Sequence, residues 1–445
     1  MRISDQLPSF LRERLAGRGT LRQSLDNSFW LFADQLVRMT AGLFVGVWVT
    51  RYLGPEQFGW LSYATAVVTT VGALTSVGLN AVVVRELAQN PADADKWLGM
   101  AFLMKMLGAG LGFLVCVGVA WLQPSAAGPT RLLVILVALG LFFQMLDVFD
   151  LFFQARGESR ISALVRIASC LGGSLLKIGL ILAHASLRLL AGAGLFELAL
   201  AGIAWWWAGR RAGQRIASFR FDGQFLGATV RENWSLTVAA LAIYVQAYAD
   251  QMMIGMMIGG GELGQYSAAM RLVSVFSFIP MVVQTVAAPE LARAKRDNEA
   301  LYLRRLHRLY RLMFGLFLLT ALPLYYLGPL VTKLLYGAAY AGAAALLPWL
   351  ALRLLFVNFG VARSIFITNE SLFRFALITA VAGAAANILL NLWLVRAWGA
   401  RGAIASSLAS FAVTTFALEL FQPRARKNLR LMASAIFLPW RPFAG

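Results

Sequence analysis

Histidine and cysteine are almost missing from this chain, with two of each in 445 residues. Cys116 and Cys170 both lie inside apolar runs, so neither a disulfide framework nor a thiolate zinc site is available. His184 and His307 stand far apart and read as loop residues, which leaves no metal-ligating constellation and no expected cofactor. Charge is scarce at 14% of residues, and lopsided, with 21 acidic against 40 basic side chains. No GxxxxGKS/T run is present to cradle a nucleotide. The opening stretch MRISDQLPSFLRERLAGRGTLRQ lacks the apolar core and small-residue cleavage site of a signal peptide, so the first span is expected to act as its own insertion signal.

What abounds is apolar surface. Hydrophobic residues make up 59% of the chain and its mean hydropathy is +0.69, well above the roughly 45–50% apolar share of a soluble domain. That excludes a water-soluble globular enzyme. The apolar residues come in blocks near 20 long, the length a helix needs to cross a bilayer. The sequence therefore predicts an all-α polytopic membrane protein with twelve spans, near 27–49, 60–83, 97–121, 132–154, 161–183, 189–208, 234–257, 267–289, 312–334, 343–366, 375–395 and 402–421. These group into an amphipathic arm (1–26), a six-helix bundle (27–208), a linker (209–233), a second six-helix bundle (234–421) and a tail (422–445).

Assigning loops alternately to the two sides puts 27 Lys and Arg on one side and five on the other. By the positive-inside rule both termini are expected to be cytoplasmic, with an even number of spans. The formal charge of +19 is thereby explained as a topology signal that also touches anionic lipid headgroups, not as a nucleic-acid footprint. The stretch RRLHRLYRLM and the N-terminal arm read as amphipathic helices at the membrane surface, and LMASAIFLPW as an interfacial segment with Trp440 near headgroup level. All outward loops are about ten residues or shorter, so any chemistry must lie within the spans.

A shift of 205 residues lays GPEQFGWLSYA (Gly54 to Ala64) over GGGELGQYSAA (Gly259 to Ala269), matching Gly54 with Gly259, Gly59 with Gly264, Ser62 with Ser267 and Ala64 with Ala269. Each copy links the first and second spans of a six-span half. Equivalent spans then run in the same direction, so the pseudo-two-fold should lie along the membrane normal, with a substrate site in a central cavity between the halves.

The segments RYLGPEQFGWLSYA, YGAAYAGAAALLPWLA and AWGARGAIASSLAS are similar to those of the bacterial polysaccharide-export flippases of the multidrug, oligosaccharidyl-lipid and polysaccharide exporter superfamily. The likeness runs in order along nearly the whole chain, though none of the motifs is catalytic. It implies two six-helix bundles with alternating access, moving an undecaprenyl-diphosphate-linked oligosaccharide from the inner to the outer leaflet. Related lipid II flippases usually carry fourteen spans, so twelve favours the O-antigen or exopolysaccharide branch. Partners implied are the lipid-linked anionic oligosaccharide, membrane lipids, and a polysaccharide polymerase or other assembly proteins; a monomer suffices.

Eight basic residues fall inside the expected spans: Arg38, Lys105, Arg166, Lys177, Arg271, Lys333, Arg353 and Arg363. A central Arg or Lys costs about 2.5–3.5 kcal/mol to insert. Arg38, Lys177 and Arg353 are the deepest, and must face water, a counter-ion or an anionic ligand. Lys105, Arg166, Arg271, Lys333 and Arg363 lie nearer span ends, where snorkelling competes with a cavity role. Asp34 and Arg38 are one turn apart, so an intrahelical ion pair competes with ligand binding for Arg38. Arg166 and Lys177, eleven apart, share a helix face.

Guanidinium matches phosphate geometry, so Arg38 and Arg353 are the first candidates for the diphosphate, with Lys177, Arg166, Arg363 and Arg271 extending the set. Tyr244, Tyr248 and Gln246 are candidate sugar contacts, core packing being the competing role for the tyrosines. Asn387 and Asn391 read as an interhelical hydrogen-bonding pair. Without a nucleotide site, ion coupling is the active option left, with Asp34, Asp250 and Glu197 as candidate proton or sodium sites. Pro280, Pro323 and Pro348 are candidate hinges. A drug or cation extruder of the same superfamily is the rival reading. A membrane-bound glycosyltransferase, polymerase or ligase is a weaker one, because the outward loops are too short for it.

Overall fold

A computed structural model describes residues 19–76, 80–122, 128–220 and 223–437, and among these the regular structure is entirely helical. In chain order the helices are α1 (Gly19–Ser76), α2 (Asn80–Gln89), α3 (Ala94–Trp121), α4 (Gly128–Ala138), α5 (Gly140–Gln144), α6 (Val148–Ala155), α7 (Ser159–Leu182) and α8 (Leu187–Arg211). There follow α9 (Gly223–Met257), α10 (Gly260–Ser274), α11 (Phe278–Asp297), α12 (Glu299–Tyr336), α13 (Ala341–Ala351), α14 (Arg353–Asn369), α15 (Phe373–Ala412) and α16 (Pro423–Phe437). Most of the N-terminal arm, and Trp440, lie outside the described residues.

Among the described residues nine helices are long and apolar enough to cross a bilayer. Two of them, Phe29–Ala73 and Phe373–Phe421, each hold two of the expected spans. Gly54 (φ 69°, ψ 172°) breaks α1 and Gly399 (φ 59°, ψ −138°) breaks α15. A left-handed φ is strained for any residue with a β-carbon, which is why glycine stands at both turns. The seventh expected span falls within α9. The eighth is interrupted by a 3₁₀ turn at Val275–Ser277. Pro280, four residues beyond Phe276, lacks the amide that would close the helix over that carbonyl. Pro280 thus sits in the first turn of α11, whereas Pro323 and Pro348 lie inside α12 and α13.

The chain separates into two compact units: Met1–Val49 with Val67–Thr237, and Thr50–Ala66 with Val238–Gly445. Unit 1 packs Leu98, Phe102, Phe149, Phe153, Trp205 and Phe219 into one core. Unit 2 includes Thr50–Ala66, although that segment is made with the first spans. There the repeated segments meet. A β-carbon on Gly59 would fall 1.8 Å from the Gly260 carbonyl oxygen, and one on Gly264 would fall 1.8 Å from that of Pro55. At an offset of 205, Pro55 corresponds to Gly260 and Gly59 to Gly264, so the two contacts are the same contact with the partners exchanged. That reciprocity is what a two-fold relation between repeats produces.

Elsewhere in unit 2, Tyr302, Leu306, Leu309, Tyr310 and Met313 of α12 pack with Ala425, Leu431, Met432 and Ala435 of α16. α12 has 38 residues, about 57 Å at 1.5 Å per residue, against roughly 30 Å of hydrocarbon. The RRLHRLYRLM stretch is the opening part of this one continuous helix and packs on α16. His307, expected in a loop, is 2% exposed inside α12, because that helix begins a dozen residues before the apolar run. His184 does lie in the turn between α7 and α8, with φ 52°.

Candidate functional site

Two polar centres lie among the helices, one in each unit. In unit 1, Asp34 and Arg38 are neighbours on one face of α1. The Arg38 Nε donates to Asp34 Oδ1 at 2.7 Å and its Nη2 to Oδ2 at 3.1 Å, a two-point contact; Nη2 also reaches Gln35 Oε1 at 3.2 Å. Arg166 of α7 brings Nη1 to 3.5 Å from Asp34 Oδ2 and donates Nη2 to Asp150 of α6. Gln154, one turn beyond Asp150, donates to the same carboxylate at 3.1 Å. The result is a ladder of alternating sign: Arg38, Asp34, Arg166, Asp150.

Its acids are buried and its bases are not. The Arg38 and Arg166 side chains are 40% and 29% exposed, against 2% for Asp34 and 9% for Asp150. Carboxylates held behind guanidiniums present a positive face to whatever approaches. Lys177, expected to extend Arg166 along its helix face, pairs instead with Glu197 at 2.7 Å, both ends being partly exposed. Lys105 pairs with Asp147 at 2.6 Å.

In unit 2 the centre is Asp250, on α9, with 0% exposure. Its Oδ1 accepts from Asn391 Nδ2 at 2.9 Å and from Asn387 Nδ2 at 3.2 Å, both on α15. Its Oδ2 accepts from Tyr266 OH of α10 at 2.8 Å and from Ser407 Oγ. Four neutral donors thus converge on one carboxylate. The Asn pair does hydrogen-bond between helices, and Asn391 Nδ2 also donates to Asn387 Oδ1 at 3.2 Å. Arg353 of α14 stands beside this cluster, its Nη1 3.9 Å from Asp250 Oδ2, with its guanidinium over the Phe411 ring. Beyond Ser410, α15 gives way to a π-helical turn, Val413–Ala417; such turns are frequent at functional sites.

The remaining candidates are scattered through unit 2. Gln246 is buried and donates to Ser410 Oγ at 3.3 Å, so it belongs with the Asp250 cluster, away from the tyrosine face. Tyr244 and Tyr248 stack at 6.4 Å with planes 8° apart, and Tyr244 is 39% exposed. Arg363 pairs with the buried Glu419 at 2.6 Å; Asn428 of α16 donates to the other Glu419 oxygen, and Tyr310 donates to Asn428. Arg271 donates to Thr50 Oγ1 at 3.2 Å and lies over Phe58.

Sequence reasoning missed Tyr266, Ser407, Ser410, Asn428 and Tyr310. The one available signal was the small polar stripe Ser406, Ser407 and Ser410 at helical spacing in AIASSLAS.

Residues 24–295 match the family model described as "Polysaccharide biosynthesis protein". No curated protein matches the sequence. Among solved structures, a multidrug resistance MATE family transporter of the MOP superfamily, in an inward-facing conformation, aligns with a TM-score of 0.72 at 14% identity, covering 89% of this chain and 96% of that one. The lipid II flippase MurJ, in an inward closed conformation, aligns with a TM-score of 0.69 at 12% identity, covering 93% and 91%. A MOP superfamily transporter from Pyrococcus furiosus, whose structure is described under a reversed polarity of its binding pocket, aligns with a TM-score of 0.63 at 13% identity, covering 93% and 96%. At these identities the likeness is one of fold: a two-bundle, helical, membrane-spanning architecture.

Proposed function

The chain belongs to the polysaccharide biosynthesis protein family, and from that membership and the ladder in unit 1 we propose that it is a flippase for an undecaprenyl-diphosphate-linked oligosaccharide. It moves an O-antigen or exopolysaccharide repeat unit across the bacterial inner membrane by alternating access, with both termini cytoplasmic. The observation that carries this reading is the polarity of the Arg38–Asp34–Arg166–Asp150 ladder: its exposed members are cations and its buried members are anions. A diphosphate offers several acceptor oxygens to guanidinium, and Arg38 is the ligand best placed to meet it. Arg166 follows behind. A cation extruder needs the opposite arrangement, with carboxylates forward.

Tyr244, open on one face and stacked on Tyr248, supplies the apolar surface on which a sugar ring rests. Coupling is assigned to Asp250, which takes a proton or sodium. Asn391 Oδ1, buried in the same cluster, has no hydrogen-bond partner among the described residues, and a bound cation would give that oxygen the partner it lacks. Arg353 and Arg363, largely buried, pair with Asp250 and Glu419, so Arg38 is the first of the arginines to meet the headgroup.

Deletion of the gene tests the reading. Repeat units linked to undecaprenyl diphosphate should accumulate on the cytoplasmic leaflet, and surface polysaccharide should fall. A copy carrying Arg38→Gln at normal abundance should fail to restore export, while Arg38→Lys restores part of it. Full complementation by Arg38→Gln would refute the headgroup assignment, and single repeat units displayed outside the cell would point to a polymerase.

A further inference from the structure

We propose that Arg353 is a tethered counter-ion of Asp250 which the coupling cation displaces, and that the displaced guanidinium is then available to the anionic headgroup. The proposal rests on the functional reading above, and concerns how cation and cargo are linked.

Asp250 is fully buried, and its four hydrogen-bond donors, Tyr266, Asn387, Asn391 and Ser407, are all neutral. A buried carboxylate needs an opposite charge as well as donors. Among the described residues the ion-pair partner of Asp250 is Arg353.

Arg353 is held loosely. Its polar contacts include Ala247 O at 3.5 Å, Met270 Sδ at 3.9 Å, Asp250 Oδ2 at 3.9 Å and the Tyr266 hydroxyl, with the Phe411 ring centre 5.0 Å away. The contacts to Ala247 and Asp250 are both longer than the 2.7–3.2 Å of an ordinary N–H···O bond. Arg38 and Arg363 hold their carboxylates at 2.7 and 2.6 Å. Withdrawing Arg353 therefore gives up long contacts to Asp250 and Ala247 and its contact with the Tyr266 hydroxyl, while the four neutral donors to Asp250 stay in place. What it removes is charge, and a cation restores charge.

A place for that cation is already furnished. The amide of Asn391 gives its nitrogen to Asp250 Oδ1, so its unpartnered oxygen lies in the same cluster. Together with Asp250 and the Ser407 hydroxyl of the same cluster it would offer a cation oxygen donors alone, the preference of a hard cation such as sodium.

Two cations then compete for one anion. Sodium at Asp250 weakens the hold on Arg353, and a headgroup that draws Arg353 away strengthens sodium binding by the same factor, because linkage is reciprocal. Couplings of this kind are worth about 5- to 150-fold in affinity.

The test uses the full chain in lipid nanodiscs, with undecaprenyl diphosphate binding measured in sodium chloride and in choline chloride. Wild-type binding should tighten in sodium within that range. Asp250→Asn, which removes the anion Arg353 is tied to, should bind the lipid tightly without sodium and ignore its addition. Asp250→Asn combined with Arg353→Gln should lose that gain. In a sodium titration followed by thermal unfolding, Arg353→Gln should bind sodium several-fold more tightly than wild type, and Arg353→Lys should resemble wild type. The proposal is overturned if Asp250→Asn binds lipid no better than sodium-free wild type, or if Arg353→Gln gains no sodium affinity. Should Arg353→Gln not fold, the Asp250→Asn arm decides alone. Wild type that binds no undecaprenyl diphosphate in sodium refutes the functional reading instead, and the sodium titration then still decides the exchange.

Discussion

The amide nitrogen of Gly264 stands 2.8 Å from the point a β-carbon on Gly59 would occupy, and the Pro55 carbonyl oxygen stands 1.8 Å from the matching point on Gly264. Backbone faces backbone at both positions, and a methyl group has nowhere to go. Gly59→Ala and Gly264→Ala should each destabilise unit 2 by about 1–3 kcal/mol or more, the usual cost of forcing atoms into a packed site. Gly261, with open space around its α-carbon, supplies the control. Gly261→Ala should be neutral or mildly stabilising, by about 0.4–1 kcal/mol. Melting temperatures of the purified variants in one detergent check all three.

Glu419 and Arg363 form a buried pair, with side chains 0% and 12% exposed. Glu419→Gln leaves the guanidinium without its acid and should cost about 3–5 kcal/mol. Replacing both by methionine should recover most of that loss, since a well-packed apolar pair often substitutes for a buried ion pair. A residue of about 1–3 kcal/mol should persist, because the Asn428 amide loses its acceptor. A double-mutant cycle on thermal stability measures each of these quantities.

Tyr244 offers an open aromatic face while Tyr248 backs it. Tyr244→Ala should weaken binding of the sugar-bearing lipid by roughly 0.5–1.5 kcal/mol, about two- to twelvefold, and leave binding of undecaprenyl diphosphate itself unchanged. Tyr244→Phe keeps the ring and should behave as wild type. Equal losses for both lipids would mean the ring acts only in packing.

Lys177 and Glu197 lie 2.7 Å apart with 25% and 31% of their side chains exposed. A pair so open to its surroundings contributes about 0–1 kcal/mol. Glu197→Gln should therefore keep near wild-type stability, and the sodium dependence of transport should survive it. Loss of that dependence in Glu197→Gln, with Asp250→Asn retaining it, would move the coupling site to unit 1.

Periodicity along one helix was readable from the sequence, and long-range partnership was not. The one-turn spacing of Asp34 and Arg38 announced their pair, and the apolar blocks announced the spans. The pairing of Arg353 was not readable because its carboxylate lies 103 positions earlier, on α9, and depth in a span says nothing about what a side chain meets across a helix interface. Lys177 likewise shares a helix face with Arg166, yet each turns to an acid on a different helix. Gly59 and Gly264 could be matched as elements of a repeat, but an offset cannot reveal that the two copies touch. Tyr266 carries no signal of its own, since a tyrosine in an apolar helix is common, and Ser407 carries only that of the serine stripe it shares with Ser406 and Ser410.

The inclusion of Thr50–Ala66 in unit 2 has a consequence for biosynthesis. At about 5–20 residues per second, the ribosome needs roughly 10–40 s to proceed from Gly59 to Gly264, which lies 205 positions later. Throughout that interval the second half of α1 is already made while the surface it finally rests on does not exist. The nascent chain must hold that helix in the translocon or in lipid until the later segment arrives. Assembly of the first-made helix is thereby completed among the last.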